Sequence, residues 1–226
     1  MRILFDERVA QVYDRWFETK KGLLVDSLEK GLILKIADLR RGESILEVGC
    51  GTGHYLQFFS KTRMKTMGVD LSFPMLRSAQ KKMGEKNGLC LGKAEELPFK
   101  TKSFDAVSLI TTLEFVEDPQ KALREAVRVS RDKILLGVLN KYSLTAIGRR
   151  MKGIFHSSIY SKAQFYSIWQ LKKKLNRVLP GANIKWGSII VLPLGLQQWL
   201  RKIERILSFR KNPFGAFLVV GISIKQ

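Results

Sequence analysis

Apolar residues along this chain fall into short runs that alternate with longer amphipathic stretches. Runs near residues 44–48, 65–70, 88–91, 104–110 and 133–138 read as strands. The stretches between them, about 53–60, 73–83 and 119–129, place apolar residues at helical spacing. Two leading helices are predicted at 6–16 and 22–38, the second with Leu23, Leu24, Leu28, Leu32, Leu34 and Ile36 as its apolar positions. Helices near 142–152 and 162–178, a strand near 183–192, a helix near 196–208 and a strand at 215–224 complete the pattern. Alternation of this kind predicts an α/β fold built on a parallel, doubly wound sheet. Repeats and low-complexity tracts are absent.

The first of these strands carries the chemistry. Ser44-Ile45-Leu46-Glu47-Val48 runs into Gly49, Gly51 and Gly53, with Cys50 inside the loop where a small residue is needed. Glycine serves where the backbone must take a positive φ or admit a ligand closely. The second strand ends in Gly68-Val69-Asp70, and an acid at that point can chelate both hydroxyls of a ribose. A nucleotide-like cofactor follows. The spacing discriminates further: a dinucleotide fingerprint would place its third glycine at position 54, where this chain has His54. Glu47 would repel a pyrophosphate but suits a tail bearing an ammonium and a sulfonium.

The segment resembles motif I of the class I S-adenosylmethionine-dependent methyltransferases. Three later segments strengthen the resemblance. Gly68 to Ser72, followed by Met75-Leu76, is similar to the family's ribose-binding strand end. Gly92-Lys93-Ala94-Glu95-Glu96-Leu97-Pro98-Phe99 resembles its adenine-edge segment, and Leu113 to Pro119 the segment bordering the reactive methyl group. Tyr13-Asp14-x-Trp16-Phe17 resembles the branch containing the ubiquinone and menaquinone biosynthesis enzymes (methyltransferase type 11), where a leading helix covers the cofactor. The resemblance covers about residues 5–140. It implies a Rossmann-like, seven-stranded, mostly parallel sheet with helices on both faces and an antiparallel terminal strand, with S-adenosylmethionine as cofactor. It also implies roles for particular residues. Gly49, Cys50, Gly51 and Gly53 form the loop, Glu47 orients the amino-acid end, and Asp70 holds the ribose. Leu71 and Met75 flank the adenine, Ala94 and Glu95 read its edge, and Thr111, Thr112 and Tyr13 border the methyl group. Two positions depart from the family: Lys93 stands where an aspartate is usual, and Phe115 where many relatives carry histidine.

With 226 residues the chain reads as one domain: a helical cover (1–40), a cofactor-binding core (41–140) and a basic helical cap (141–180) before the last two strands. Charged residues among the first ten exclude a secretory h-region, and no apolar stretch is long enough to span a bilayer. Cys50 and Cys90 form no disulfide framework or metal spacing, so a reduced, cytoplasmic protein without metal is expected. The formal charge is +20, and residues 141–226 hold 16 Lys and Arg against the single acid Glu204. Such polarity points to a face that meets anions. Lys172-Lys173-Lys174 with Arg177, and Arg149-Arg150 with Lys152, are its densest clusters. The first also fits a solvated helix face, with Phe165, Ile168, Trp169, Leu175 and Val178 turned inward. Gln197 to Asn212 is a basic amphipathic helix suited either to an anionic membrane surface or, preferably, to packing on the sheet.

No general base stands out. His54, at a helix start, favours cofactor-edge contact or surface exposure over catalysis, His156 in the cap is no better a candidate, and Glu114 borders the methyl site without an evident task. Three functional readings follow. The first is methyl transfer to a small acceptor that is anionic or held at a membrane. The second is an RNA methyltransferase using the basic C-terminal third. The third is a non-catalytic cofactor-binding subunit docking an acidic partner.

Overall fold

The computed structural model describes residues 5–84, 88–143, 162–190 and 211–224. Seven strands form one sheet: β1 (Ser44–Val48), β2 (Lys65–Asp70), β3 (Gly88–Leu91), β4 (Phe104–Ile110), β5 (Ser130–Leu139), β6 (Asn183–Ile189) and β7 (Phe217–Ser223). Their order is β3-β2-β1-β4-β5-β7-β6. Strands β1 to β5 pair in parallel, and β7 runs antiparallel to both β5 and β6. The expected architecture is therefore present. The described helices are α1 (Glu7–Tyr13), α2 (Arg15–Glu18), α3 (Lys20–Ala37), α4 (His54–Lys61), α5 (Phe73–Met83), α6 (Pro119–Val129) and α7 (Ile168–Val178).

Strand periodicity of two divides the core into two layers. Leu46 and Val48, Val107 and Leu109, and Ile134, Leu136 and Val138 face α6 and α7. Ile45, Ala106, Ile110 and Leu135 face α3 and α4. Parallel strands covered on both faces read as continuous apolar runs, which is why these segments were legible. Local signals set the helix starts. Asp118 caps α6 through the amides of Gln120 and Lys121, with proline in its first turn. Ser167 and Gln170 close a capping box on α7.

That capping box moves one boundary: the helix expected over 162–178 starts at Ile168, leaving Phe165 buried ahead of it. Trp169, expected to point inward, is 56% exposed, because Ile168, Leu171 and Leu175 occupy the buried stripe. Lys172, Lys173 and Arg177 face solvent, as a solvated helix face requires. The leading helices break at Asp14 and Thr19 into three. Leu23 and Leu34 are exposed, and the buried stripe of α3 is Val25, Leu32, Ile33 and Ala37. The helices expected at 142–152 and 196–208, the cluster at 149–152 and His156 lie outside the described residues. No helix among the described residues is long and apolar enough to cross a membrane.

At the end of the sheet away from the glycine loop, Asp105 joins β1 to β4. It accepts from the Ser44 amide at 2.8 Å and hydroxyl at 2.7 Å, and pairs with Arg131 at 2.9 Å. The Ser44 amide contributes most to lowering its pKa; burial opposes, and the Ser44 hydroxyl and Arg131 reinforce, giving a value of about 2. A depressed carboxylate contributes stability above its unfolded value, and that contribution is lost as pH falls through the folded value. Asp105→Asn should therefore be less stable than wild type in urea melts at pH 7. The gap should close between about pH 4 and pH 2; a gap independent of pH would remove Asp105 from the acid-labile contacts.

Candidate active site

The C-terminal ends of β1, β2 and β4 open into a cavity of about 480 Å³, within the range typical of small-molecule sites. Its lining includes Tyr13, Glu47, Gly49, Cys50, Gly51, Asp70, Leu71, Met75, Ala94, Glu95, Thr111 and Thr112, all but one of the cofactor-site residues expected from the sequence. The glycine loop is pinned from below: the Gly49 and Cys50 amides both donate to the Val69 carbonyl, at 2.7 and 3.1 Å. Gly49 has φ +72°, and a Cβ there would lie 2.5 Å from the Thr112 hydroxyl, which donates to the Val48 carbonyl. A Cβ at Gly51 would instead meet no atom within 4 Å. The loop leaves room on the cavity side and none toward β4. Thr111 takes φ +52°, a costly conformation for a β-branched residue. Its amide is held there by the Gly137 carbonyl at 2.7 Å.

Two acids dominate this half of the cavity. Glu47 is 2% exposed, and its Oε2 has no hydrogen-bond partner. Burial pushes its carboxyl well up, the nearby Asp70 charge adds to that, and the Leu56 amide and Lys82 pull the other way. Asp70 accepts from the Gly51 amide through Oδ2 and from the Ser72 amide through Oδ1, each at 2.8 Å. Burial still raises its pKa, against those amides. A buried carboxylate oxygen without a partner is costly. Beside a second acid, a positively charged tail is the ligand chemistry that relieves it. Burial likewise raises the Cys50 thiol, whose sulfur packs toward Gly68 rather than serving as a nucleophile.

The other half of the cavity lies between α3 and α4. Tyr13, Phe17, Val25, Glu29, His54, Tyr55, Ile110 and Leu139 line it. Tyr55 donates its hydroxyl to Glu29. Burial first, then the Glu29 charge, pushes the Tyr55 pKa well up, so this proton stays on the phenol. His54 stacks on Phe17 with ring centroids 3.6 Å apart, and its Nε2 lies 2.7 Å from Asp26 and 3.0 Å from Lys30. Burial works against the Asp26 charge, but hydrogen bonds to His54 and Lys30 outweigh it and lower its pKa.

Helices α1 and α2 cross the mouth. The Thr52 hydroxyl donates to Asp14 at 2.7 Å, Lys82 reaches the other Asp14 oxygen at 2.8 Å, and Ser72 donates to the Phe5 carbonyl. A partly exposed charge contact of this kind contributes up to about 1 kcal/mol. Asp14→Ala should thus speed dissociation of a bound ligand about fivefold, with little change in association rate, when followed by stopped-flow fluorescence. An unchanged off-rate would show that α1 and α2 do not retain the ligand.

Residues 46–135 match the model of the Methyltransferase domain family, type 11. A solved structure of an S-adenosylmethionine-dependent methyltransferase from Thermotoga maritima, described as a possible histamine N-methyltransferase, superposes with a TM-score of 0.71. It covers 98% of this chain and 99% of its own, at 27% identity. The chain belongs to the class I S-adenosylmethionine-dependent methyltransferases. An uncharacterised protein of Methanocaldococcus jannaschii is 32% identical over 71% of this chain and 70% of its own. A demethylmenaquinone methyltransferase of Tropheryma whipplei is 32% identical over 54% of this chain and 51% of its own length.

Within this methyltransferase the geometry redirects several residues. Gly53 is outside the cavity lining: it starts α4 at φ +77°, where a Cβ would press on Ala79 at 3.2 Å, so it serves helix packing. Glu95 reaches the cavity, but its Oε1 accepts from the Glu117 and Asp118 amides at 2.9 and 3.3 Å. It thereby holds the 115–118 loop in place. Glu114 is buried outside the lining, bracing the Leu139 amide at 2.7 Å. His54 is half-buried rather than surface-exposed, lines the cavity and belongs to the α3–α4 network. Glu29 and Tyr55 were missed. The signal available was a carboxylate on the stripe of α3 between Val25 and Ile33, one helical turn from each. Among the described residues no cluster of three or more His, Cys, Asp or Glu could hold a metal ion.

Proposed function

We propose that this methyltransferase transfers a methyl group to a small molecule bound in the α3–α4 half of the cavity. The observation that carries the reading is the buried Glu47 oxygen without a hydrogen-bond partner beside the glycine loop and Asp70, all facing one cavity. The cofactor supplies an activated methyl on a positively charged sulfur. Glu47 and the loop at Gly49 to Gly51 take its amino-acid end, Asp70 the ribose hydroxyls, Leu71 and Met75 the adenine faces, and Ala94 the adenine edge. Thr111, Thr112, Tyr13 and Phe115 line the same cavity, and the two threonines and Tyr13 would border the methyl group. The chain's contribution is alignment of donor and acceptor.

The charge balance of the C-terminal third suggested an anionic or membrane-held acceptor. The cavity itself favours another. Among the described residues its lining carries the acids Glu29, Glu47, Asp70, Glu95 and Glu117 against Lys93. The exposed lysines of α7 face solvent.

Calorimetry tests the cofactor half. S-adenosylmethionine and S-adenosylhomocysteine should bind and NAD should not; binding of NAD alone would sink the reading. Binding should also release a proton. A cation placed against Glu47 lowers a carboxyl that burial has raised, so affinity should increase with pH until free Glu47 is ionised. The apparent enthalpy should therefore differ between buffers of unlike ionisation heat, and identical heats would remove Glu47 from contact with the ligand's charge.

A further inference from the structure

A buried asparagine gathers three exposed aromatic side chains at one corner of the fold. Asn140, the residue after β5, is fully buried. Its side-chain amide donates to the Pro213 and Gly215 carbonyls at 2.7 Å each, and its side-chain oxygen accepts from the Tyr142 amide at 3.2 Å. Its backbone pairs with Tyr166, just ahead of α7. The three segments joined in this way present Tyr142, Trp169 and Phe214, which are 48%, 56% and 65% exposed. A lone exposed apolar residue is ordinary, but several held together by a buried network mark a contact surface.

Basic side chains share this corner. Lys141 lies over the Tyr142 ring, 6.0 Å from its centre. Lys172 and Lys173 follow Trp169 on the exposed side of α7, and the exposed Lys211 stands three residues before Phe214. Residues 162–190 and 211–224 contain no Asp or Glu, so nothing within these segments offsets the charge.

We propose that this corner docks the protein on an anionic lipid surface, its three rings entering the interfacial layer and its lysines meeting headgroup charges. Tryptophan and tyrosine favour that layer, which offers apolar and wet surroundings to one ring. Lysines beside them add attraction to anionic lipid. Nucleic acid suits the corner less well. A base needs an open ring face to stack on. Tyr142 and Trp169 instead meet edge to face with centres 6.0 Å apart, and Lys141 covers a face of Tyr142. Asn140 directly follows Leu139, which lines the cavity, so the corner stands at the end of the sheet where the cavity opens. Docking there accounts for the charge of the C-terminal third without placing an anion in the cavity. It does not depend on the identity of the acceptor.

The test is sedimentation of the whole protein with vesicles of phosphatidylcholine, or of phosphatidylcholine and phosphatidylglycerol at two to one. The mixed vesicles should bind at least about tenfold more tightly. Lys172→Ala with Lys173→Ala should weaken that binding about thirtyfold. Lys61→Ala with Lys65→Ala, exposed at the other end of the sheet, should change it less than about threefold. Trp169→Ser with Phe214→Ser should weaken it at least about tenfold. These side chains are exposed, so melting temperatures should stay at the wild-type value. Trp169→Phe keeps an apolar ring and should bind as wild type, yet lose most of the blue shift in tryptophan emission that insertion produces. The proposal is overturned if neither vesicle binds, if the mixed vesicles are not preferred, or if both lysine pairs weaken binding equally. Binding indifferent to the ring substitutions overturns it too. Polyuridylate held more tightly than the mixed vesicles, through Lys172 and Lys173, would assign the corner to RNA and overturn the lipid reading.

Discussion

Replacing Asp70 by alanine is expected to weaken S-adenosylhomocysteine binding by at least about 100-fold, the equivalent of ~3 kcal/mol. Two losses combine. The carboxylate would no longer receive the ribose hydroxyls, and hydrogen bonds to a charged group each contribute ~1.5–3 kcal/mol. The Gly51 and Ser72 amides, now held at 2.8 Å, would also lose their acceptor, and the loop that shapes the cavity would loosen. Asp70→Asn separates the two. It keeps an acceptor for one of these amides and removes the negative charge that helps raise Glu47, so its affinity should fall between those of wild type and Asp70→Ala. Calorimetry on the three proteins reads this directly. Binding by Asp70→Ala within about threefold of wild type would show that the ribose is held elsewhere.

Gly49→Ala should damage both the fold and the site. At φ +72° an L-residue costs ~1–2 kcal/mol. The added carbon would also lie 2.5 and 2.6 Å from the Thr112 hydroxyl and methyl. Thr112 cannot swing away freely, because it is 7% exposed and bonded to the Val48 carbonyl. Overpacking of this kind adds ~1–3 kcal/mol. The sum lowers the melting temperature by about 5–15 °C for a chain of this size and tilts the loop out of line with Asp70, so cofactor binding should fail with it. Thr112→Ala in the same protein removes the two clashing groups and should restore part of the melting temperature, although the strained φ remains. A melting temperature unchanged by Gly49→Ala would mean that the loop and β4 are not in contact at this point.

The cofactor half of the site was legible in the sequence because its parts are local. Glycine at 49 and 51 follows a strand directly, Asp70 ends the next, and Ala94 follows the third. In a parallel sheet, strand ends of this kind converge at one edge whatever packs on the faces. Gly53 shows the limit of reading by motif. Its positive φ was foreseeable, but its neighbour Ala79 lies on another helix, and that neighbour makes it a packing residue. Glu95 shows the same limit, since the amides that claim its side chain lie 22 and 23 residues away. Thr111 gave no warning at all: nothing in a threonine announces a left-handed backbone.

The sequence by itself determined the strand order's raw material, the two-faced core and the cofactor class, because burial on both faces and a glycine-rich strand end leave their mark within a few consecutive residues. The tertiary structure alone decided the rest. Glu29 and Tyr55 come from α3 and α4, 26 residues apart in the chain, and Asp26 and His54 from the same two helices, 28 apart. Asp14, Thr52 and Lys82 meet from three separate segments. Periodicity reports which face of a helix is buried, but not which other face it will meet. The α3–α4 half of the cavity exists only where two such faces come together.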